Sequence, residues 1–253
     1  MHGRRKEGTR DERGLFTIQT NQELAPATHR MVLAGDTGAI TAPGQFVNIA
    51  LAGKFLRRPI SVCDWDGTTL TLIYKVVGQG TAQMAQMAPG ETLDLLTGLG
   101  NGYDLTKSGA RPLLIGGGAG VPPLYALAKA LLAQGKQPQA ILGFNTRTEK
   151  FLEEDFQALG VPVTVTTADG SYGVPGFVTD AMPKEGYTYL YTCGPEPMLR
   201  AVDGAAVTSG QFSFEERMGC GFGACMGCTC ETKYGHKRIC REGPVLEREE
   251  ILW

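Results

Sequence analysis

Near its C-terminal end the chain reads Glu216-Arg217-Met218-Gly219-Cys220-Gly221-Phe222-Gly223-Ala224-Cys225-Met226-Gly227-Cys228-Thr229-Cys230, and Arg238-Ile239-Cys240 follows. Five of the seven cysteines lie here, interleaved with glycines. Cys220, Cys225 and Cys228 have the spacing C-x4-C-x2-C and Cys240 comes later, which is the plant-type spacing of [2Fe–2S] ligands. Glycines in such a loop let backbone N–H groups approach the cluster sulfurs. The pattern predicts that Cys220, Cys225, Cys228 and Cys240 hold one [2Fe–2S] cluster.

Other readings of the same cysteines stay open at this point. A disulfide framework is disfavoured, because crowded cysteines in a chain with a cytosolic character more often bind metal. A zinc site also takes four cysteines, although it usually shows paired C-x2-4-C knuckles. Reactive or merely buried thiols are the third possibility. Cys230 is left over from a four-thiolate site, so we expect it to serve packing, or to exchange roles with Cys228.

Composition and charge set the broad class of the protein. The formal net charge is −2 over 253 residues, which gives no indication of a nucleic-acid or anionic-membrane partner. The length predicts two domains, or two and a small appendage. No apolar run is long enough for a membrane span, and Met1 to Glu7 lacks the apolar core of a signal peptide. We therefore expect a cytoplasmic protein whose residues 1–13 form a frayed, charged tail.

The first hundred residues have the pattern of short strands separated by turns. The segments at 16–20, 31–33, 46–50 and 69–77 alternate or are rich in β-formers, and Asp66-Gly67 is a hairpin signal. The pattern predicts a small antiparallel barrel. A short helix is predicted from Thr81 to Met87, with Thr81 as its cap and Pro89-Gly90 as its end.

Two segments of this part are candidates for binding phosphate. Arg57-Arg58-Pro59-Ile60-Ser61 places guanidinium groups beside a hydroxyl, which suits a pyrophosphate, although a solvated strand end would look the same. Gly78-Gln79-Gly80-Thr81 precedes the predicted helix, where free N–H groups face an anion.

From Gly109 the pattern changes to alternating strands and helices. Strands are predicted at 112–115, 140–144, 163–166 and 189–192, with helices at 124–132 and 150–159 and a last helix after Met198. This β-α-β-α order predicts a parallel, doubly wound sheet, in which ligands bind beyond the carboxyl ends of the strands.

Two of those strand ends carry glycine-rich turns. The turn with Gly116, Gly118 and Gly120 follows the first strand and is a candidate for a dinucleotide pyrophosphate, although prolines stand where the G-x-G-x-x-G fingerprint has its last glycine. Cys193-Gly194 follows the fourth strand, and Cys193 is either a core thiol or a neighbour of the ligand. Arg147 stands where an acidic residue would favour NAD over NADP.

Taken together, the chain resembles the ferredoxin-NADP reductase superfamily of flavin electron-transfer proteins. The resemblance rests on Arg58-Pro59-Ile60-Ser61, on the glycine turn ending in Pro122-Pro123, and on Cys193-Gly194-Pro195. Within the superfamily it is similar to the electron-transfer subunits of dihydroorotate dehydrogenase B, from about Leu15 to Trp253. The shared motifs include Gly98-Leu99-Gly100-Asn101-Gly102, Asp169-Gly170-Ser171-Tyr172-Gly173 and the run from Glu215 to Cys225.

The resemblance implies particular cofactors and sites. It implies one FAD and one [2Fe–2S] cluster per subunit, with the cluster on the same four cysteines, and NAD as the electron acceptor or donor at the Cys193-Gly194 turn. The FAD contacts that it implies are Arg58, Pro59, Ile60, Ser61, Ile73, Tyr74, Lys75, Gly80 and Thr81.

The resemblance also implies a function and a partner. Electrons would pass from the FMN of a dihydroorotate dehydrogenase catalytic subunit through [2Fe–2S] and FAD to NAD⁺, in pyrimidine biosynthesis, within a heterotetramer of two subunits of each kind. The alternatives are the reductase subunit of another redox complex, such as a ferredoxin-linked transhydrogenase or a sulfhydrogenase, and a zinc-stabilised binding module. The expected domains are an FAD-binding β-barrel at 14–108, an NAD-binding α/β domain at 109–209 and a [2Fe–2S] domain at 210–253. No catalytic acid–base group is expected in the chain itself.

Overall fold

A computed structural model of the protein describes residues 12–253, and its first part is a closed antiparallel barrel. The strand order around the barrel is β1-β2-β5-β4-β3-β6. The strands are β1 (Glu12–Ala25), β2 (Thr28–Ala34), β3 (Phe46–Ala50), β4 (Arg58–Trp65), β5 (Thr69–Lys75) and β6 (Thr92–Leu99), and one helix, α1 (Gln79–Ala85), lies between β5 and β6. The predicted barrel is confirmed.

The side chains that fill the barrel follow the two-residue period of the strands. Met31 and Leu33 of β2 are fully buried in the barrel core, while Val32 between them is partly exposed. Strand β3 departs from this pattern, since Phe46 to Ile49 are all buried. Val47 and Ile49 belong to the barrel core, whereas Phe46 packs in a second core with residues of the C-terminal part. The outer face of β3 is therefore covered by the rest of the protein.

The second part is a seven-stranded sheet with the order β10-β9-β8-β7-β11-β12-β15. Its elements are β7 (Pro112–Gly117), α2 (Pro122–Ala133), β8 (Gln139–Phe144), α3 (Glu153–Ala158), β9 (Val163–Thr167), β10 (Val174–Pro175), β11 (Tyr189–Cys193), α4 (Glu196–Ala205) and β12 (Gly210–Ser213). Strands β7 to β12 pair in parallel, as predicted. The order reverses between β7 and β11, and a sheet of this kind binds ligands at such a point.

The C-terminal part consists of the cysteine loop, a hairpin and one strand of the large sheet. The hairpin joins β13 (Thr229–Thr232) and β14 (Gly235–Arg238), and β15 (Val245–Glu247) pairs antiparallel with β12. The large sheet thus continues into strands formed by residues after 209. This pairing anchors the segment that carries the cysteines to the edge of the sheet.

Some predicted element bounds differ from the structure. The helix predicted from Thr81 begins at Gln79, because Gly78 takes the N-cap position and the Thr81 hydroxyl accepts the N–H groups of Val77 and Gly78 from inside the first turn. The helix predicted over 150–159 is shorter, since Leu152 has a left-handed backbone (φ 65°) and the helix starts after it.

The predicted tail lies mainly outside the described residues, but its last two residues belong to β1. Glu12 and Arg13 pair with β6, and Arg13 forms an ion pair with Asp94. That part of the prediction is wrong, because Glu12 and Arg13 extend the pairing of β1 with β6 that closes the barrel, and the carboxylate of Asp94 balances the charge of Arg13. Of the helices in residues 12–253, none is long and apolar enough to span a membrane.

Candidate cofactor sites

The two phosphate-binding candidates of the barrel, which are 22 residues apart in sequence, meet in space. A side chain on Gly80 would collide with Nε of Arg58 and lie 2.7 Å from its Cζ. The guanidinium of Arg58 therefore packs directly on the backbone of Gly80 at the start of α1. Thr81, next to it, is buried. The fold thus brings a guanidinium, a helix start and a hydroxyl to one place.

The adjacent arginines at 57 and 58 have different environments. Arg57 donates to the carboxylate of Asp94 at 2.9 Å and to the backbone oxygens of Asn48 and Asp94 at 3.1 and 3.0 Å. Arg58 donates to the backbone oxygens of Leu56 and Arg57, and none of the ion pairs found in residues 12–253 includes it. Arg57 therefore ties barrel strands together, while the charge of Arg58 is available to an anion.

The segment Ile73–Lys75 lies where the barrel meets the large sheet. Ile73, Tyr74 and Lys75 line a small cavity of about 20 Å³ together with Gly118 and Ala119 of the glycine turn. Ile73 and Tyr74 are buried, and burial raises the pKa of Tyr74 to about 12. Barrel residues and sheet residues of the predicted sites thus face each other across one junction.

The two glycine turns of the sheet pack backbone against backbone at the point where the strand order reverses. A side chain on Gly120 would lie 2.6 Å from the nitrogen of Gly194 and would collide with the carbonyl of Cys193. Around Gly118, in contrast, the space for a side chain is open. The turn is therefore packed against protein at Gly120 and open at Gly118, so a ligand could approach its backbone at Gly118.

The buried thiols outside the cysteine loop are in apolar surroundings. Cys193 is 2% exposed, and burial together with the nearby carboxylate of Glu215 raises its pKa to about 12. Cys63 is buried in the core shared by barrel and sheet, and burial raises its pKa. Both are neutral thiols at neutral pH, which fits the predicted packing role of Cys63.

The four cysteines predicted as cluster ligands lie as two pairs. Cys220 Sγ accepts the backbone N–H of Cys225 at 3.4 Å, and Cys225 Sγ accepts the N–H of Cys220 at 3.4 Å. Cys228 Sγ accepts the N–H of Cys240 at 3.4 Å. Within residues 12–253 no three His, Cys, Asp or Glu side chains converge on one point that could hold a single metal ion. Two thiolate pairs are what a cluster of two irons needs, one pair for each iron.

The electrostatics of the first pair favour the thiolate form. Burial raises the pKa of Cys220, but backbone N–H groups from Cys225, Phe222 and Ala224 outweigh it and lower the pKa to about 6. The N–H of Ala224 lies 3.2 Å from Cys220 Sγ. In the second pair, burial and the neighbouring Cys228 raise the pKa of Cys240 to about 12, a cost that a bound metal ion offsets. The donor set and its N–H groups fit an iron–sulfur cluster.

The remaining cysteine of the loop region is placed on the hairpin. Cys230 lies in β13, opposite Lys237 of β14, and is partly buried. It lies two residues after Cys228, one of the predicted ligands, and the sulfur that accepts the N–H of Cys240 is that of Cys228. This position is compatible with the packing role predicted for Cys230.

Two residues near the cysteine loop were not singled out from the sequence. Arg238 Nη1 donates to the carbonyl of Gly223 at 2.6 Å and holds the loop in place. Asn48 of β3 donates through Nδ2 to the carbonyl of Cys220 at 3.2 Å. A polar residue inside the apolar strand Phe46-Val47-Asn48-Ile49-Ala50 was the available signal for Asn48.

The protein combines a six-stranded barrel, a mainly parallel sheet and a loop with two pairs of cysteines. This architecture defines a class: flavin- and NAD-dependent oxidoreductases of the ferredoxin-NADP reductase type with an iron–sulfur domain. Among solved structures, the NADH-dependent reduced ferredoxin-NADP oxidoreductase involved in flavin-based electron bifurcation has a TM-score of 0.87 and 28% identity, covering 98% of this chain and 92% of that one. A ferredoxin NADP⁺ reductase from Neisseria gonorrhoeae with bound FAD and NADP shares the fold, with a TM-score of 0.67 and 16% identity over 76% of this chain and 89% of that one.

The family described as the iron-sulfur cluster binding domain of dihydroorotate dehydrogenase B matches residues 215–252, and the oxidoreductase NAD-binding domain matches residues 114–204. The electron transfer subunit of dihydroorotate dehydrogenase B (NAD(+)) from Bacillus caldolyticus is 41% identical over 94% of this chain and 97% of its own length. The subunit of the same name from Bacillus pumilus is 40% identical over 95% and 98%. The chain belongs to the family of dihydroorotate dehydrogenase B (NAD(+)) electron transfer subunits. It is an oxidoreductase subunit whose cofactors are FAD, an iron–sulfur cluster and NAD.

Proposed function

We propose that this subunit carries electrons from the FMN of a dihydroorotate dehydrogenase catalytic subunit, through [2Fe–2S] and FAD, to NAD⁺. The observation that carries the proposal is the contact of the paired-cysteine loop with β3, the strand that pairs with β4, which carries Arg58 and Ser61. FAD exchanges two electrons as hydride and releases them singly, whereas the cluster carries one electron at a time. A chain with both groups connects hydride chemistry to single-electron transfer.

The FAD site is proposed along β4 and at the start of α1, where Arg58 meets Gly80. Arg58 supplies the charge for the pyrophosphate, and Gly80 and Thr81 supply backbone N–H groups and a hydroxyl beside it. Pro59, Ile60 and Ser61 are partly buried on β4, where a ring system would cover them. Ile73, Tyr74 and Lys75 close the site on the side of the sheet. Strand β5, which carries these three residues, pairs with β4, and this supports a single site.

The NAD site is proposed at the reversal of strand order. The turn with Gly116, Gly118 and Gly120 offers its backbone to the pyrophosphate, and Cys193-Gly194 lies across from it for the nicotinamide. The neutral, buried thiol of Cys193 presents an apolar surface there. The division into an FAD-binding barrel (14–108), an NAD-binding domain (109–209) and a cluster domain (210–253) follows these sites, with β12 and β15 joining the last two in one sheet.

The catalytic partner is proposed to dock at the cysteine loop. Phe222 and Met226 flank the ligands and are 42% and 55% exposed, although both are apolar. Cys225, one of the predicted ligands, is exposed beside them. Apolar residues that face solvent at a redox centre suit a protein contact. The proposed assembly is a heterotetramer with two subunits of each kind, acting in pyrimidine biosynthesis.

Two measurements on the purified protein test the function. Its absorbance spectrum, with quantitation of iron, sulfide and flavin, should show FAD and two irons per chain. Addition of a dihydroorotate-oxidising catalytic subunit and NAD⁺ should then yield orotate and NADH together. Colourless protein that contains zinc and no iron would contradict the proposal.

A second candidate is favoured by one comparison. The structural similarity to an NADH-dependent ferredoxin-NADP oxidoreductase extends over 98% of this chain. As the reductase subunit of a ferredoxin-linked complex, the protein would pass electrons to a ferredoxin-type partner and give no orotate with a dihydroorotate-oxidising subunit. The same reconstitution therefore separates the two functions.

A further inference from the structure

Within residues 12–253, three ion pairs join the barrel to the large sheet, and one of them lies beside the glycine turn. They connect β2 with α3, β4 with α2, and β5 with the turn after β8: Arg30 with Asp155 at 2.8 Å, Asp64 with Lys129 at 2.6 Å, and Lys75 with Glu149 at 3.6 Å. The third pair lines the same small cavity as Gly118 and Ala119 of the glycine turn. It therefore spans the gap between a proposed FAD segment and the proposed NAD site.

This cavity is lined by two opposite charges. Among the described residues around it, Lys75 is the one cation and Glu149 is the one anion. Glu149 Oε2 also accepts a hydrogen bond from Nδ2 of Asn145 at 3.0 Å, and Asn145 directly follows β8. The carboxylate is thus held on the sheet, while the ammonium group reaches it from the barrel at the end of a flexible side chain.

Both charged side chains can exchange partners. Their exposed fractions are 41% for Lys75 and 30% for Glu149, and their charged atoms are 3.6 Å apart. An ion pair with this exposure contributes little to stability, because water solvates both groups well. An anion of higher charge beside Lys75 would therefore displace the carboxylate.

The pyrophosphate of a pyridine dinucleotide is such an anion. The proposed NAD site places it on the backbone of the glycine turn, where the space around Gly118 is open. The cavity between this turn and the ion pair has a volume of about 20 Å³, which is room for about one water molecule. A pyrophosphate on the turn is therefore close to both side chains, and it attracts Lys75 and repels Glu149.

We infer that Glu149 sets the affinity for the pyridine dinucleotide by competing with its pyrophosphate for the ammonium group of Lys75. In the free protein, Lys75 pairs with Glu149. When the dinucleotide binds, Lys75 turns to the pyrophosphate, and the carboxylate stays with Asn145 beside a like charge. The carboxylate thereby weakens the binding of a product that has to leave after each turnover. The inference rests on the proposed NAD site.

The experiment measures binding to the full-length holoprotein with oxidised FAD by isothermal titration calorimetry. One ligand is ADP-ribose, which carries the pyrophosphate and has no nicotinamide, and the other is NAD⁺, which oxidised FAD does not reduce. Glu149→Gln removes the negative charge at nearly the same shape and keeps an oxygen for Asn145, and Lys75→Gln removes the positive charge. The flavin content of each variant is determined from its absorbance.

Asp155→Asn is the matched control. It breaks the ion pair with Arg30, which also joins the barrel to the sheet and whose side chains are similarly exposed, at 34% and 32%. Neither of these two residues lines the cavity beside the glycine turn. The control therefore weakens the junction without changing the charge near the pyrophosphate.

The two cavity variants should change the affinity in opposite directions. At low salt, Glu149→Gln should bind both ligands about 3- to 5-fold more tightly than the wild type, and Lys75→Gln about 3- to 5-fold more weakly, which is the range of a partly exposed charge pair. Asp155→Asn should stay within about twofold of the wild type. At about 1 M salt, where charges are screened beyond roughly 3 Å, the gain in Glu149→Gln should disappear.

The outcomes separate this inference from the proposed function. A wild-type holoprotein that binds neither ligand would contradict the proposed NAD site itself. If the wild type binds them, an unchanged or lower affinity in Glu149→Gln refutes the role of Glu149 alone. Equal tightening in Asp155→Asn refutes it too, since loosening of the junction would then be sufficient. An unchanged affinity in Lys75→Gln shows that Lys75 is not the contested group. Should that variant lose its FAD, the salt series of Glu149→Gln decides, because a gain that persists at high salt is not a competition between charges.

Discussion

Replacement of Gly80 by alanine should weaken FAD binding without lowering the stability of the fold. The methyl group would collide with Nε of Arg58 and lie 2.7 Å from Cζ and 2.8 Å from Nη2, so the guanidinium must leave the start of α1. A hydrogen bond to a charged group contributes ~1.5–3 kcal/mol, which predicts that FAD binds about 10- to 150-fold more weakly. Alanine in a helix, in contrast, is ~0.5–1 kcal/mol more favourable than glycine.

The measurement compares two variants that make the same chemical change. Gly204→Ala also replaces a helical glycine, in α4, where nothing lies within 4 Å of the new methyl group. Both apoproteins should be as stable as the wild type or unfold at a temperature higher by roughly 2–4 °C, as expected for ~1 kcal/mol in a protein of this size. Titration of apoprotein with FAD, followed by quenching of flavin fluorescence, should show weaker binding only in Gly80→Ala. An FAD affinity within about twofold of wild type, ~0.4 kcal/mol, would mean that Arg58 does not hold the pyrophosphate.

Three further predictions concern the cluster, the acid stability and the glycine turn. Cys225→Ser should abolish electron transfer to the catalytic partner while NADH oxidation with artificial hydride acceptors persists, and Cys230→Ser should retain both; parallel loss of both activities with FAD still bound would contradict the order of the cofactors. Hydrogen bonds from Arg13 and Arg57 lower the pKa of Asp94 below its ordinary value of 3.8, so its contribution to stability is present above that pH and is lost as the pH falls through the lowered pKa. Urea unfolding measured at about pH 5 and at about pH 2.5 gives the loss of unfolding free energy on acidification. We expect this loss to be smaller in Asp94→Asn than in the wild type by roughly 0.5–1 kcal/mol. An equal loss in both proteins would exclude the ion pairs of Asp94 as its source. Gly120→Ala should lower the free energy of unfolding by roughly 1–3 kcal/mol, because the new methyl group meets backbone atoms that cannot move aside; urea unfolding beside Gly204→Ala checks this, and an unchanged midpoint would contradict the close packing of the two turns.

The paired arrangement of the cysteines links the spacing rule to the chemistry. The spacing alone favours a two-iron cluster, but four thiolates within a short segment leave a zinc site open. The structure sorts them into Cys220 with Cys225 and Cys228 with Cys240, and it directs backbone N–H groups at the sulfur atoms. The ligand set that was predicted from the sequence, without Cys230, is compatible with that arrangement and stays a prediction.

Local sequence was sufficient for the features that depend on neighbours along the chain. The alternation of the barrel strands, the β-α-β-α order of the sheet and the C-x4-C-x2-C spacing are all determined within short windows, because side-chain period and ligand spacing are local properties. The barrel and the parallel sheet were predicted on that basis, and both are confirmed. The predicted ends of helices were less accurate where a single backbone angle decided them, as at Leu152, after which α3 begins.

Tertiary structure decided which distant residues act together. The contact of Arg58 with Gly80, the packing of Gly120 on Cys193 and Gly194, and the bond from Asn48 to Cys220 join segments between 22 and 172 residues apart. The chemistry of the segment does not distinguish Arg57 from Arg58, and only the resemblance pointed to Arg58. The position of Asp94 in the fold commits Arg57 to a structural ion pair, and none of the ion pairs in residues 12–253 includes Arg58. The cysteine spacing by itself predicted an iron–sulfur cluster and its four ligands. The closure of the barrel and the addition of β15 to the sheet determined where the cysteine loop lies, because these long-range pairings bring the loop onto β3, beside the strand that carries the proposed flavin contacts.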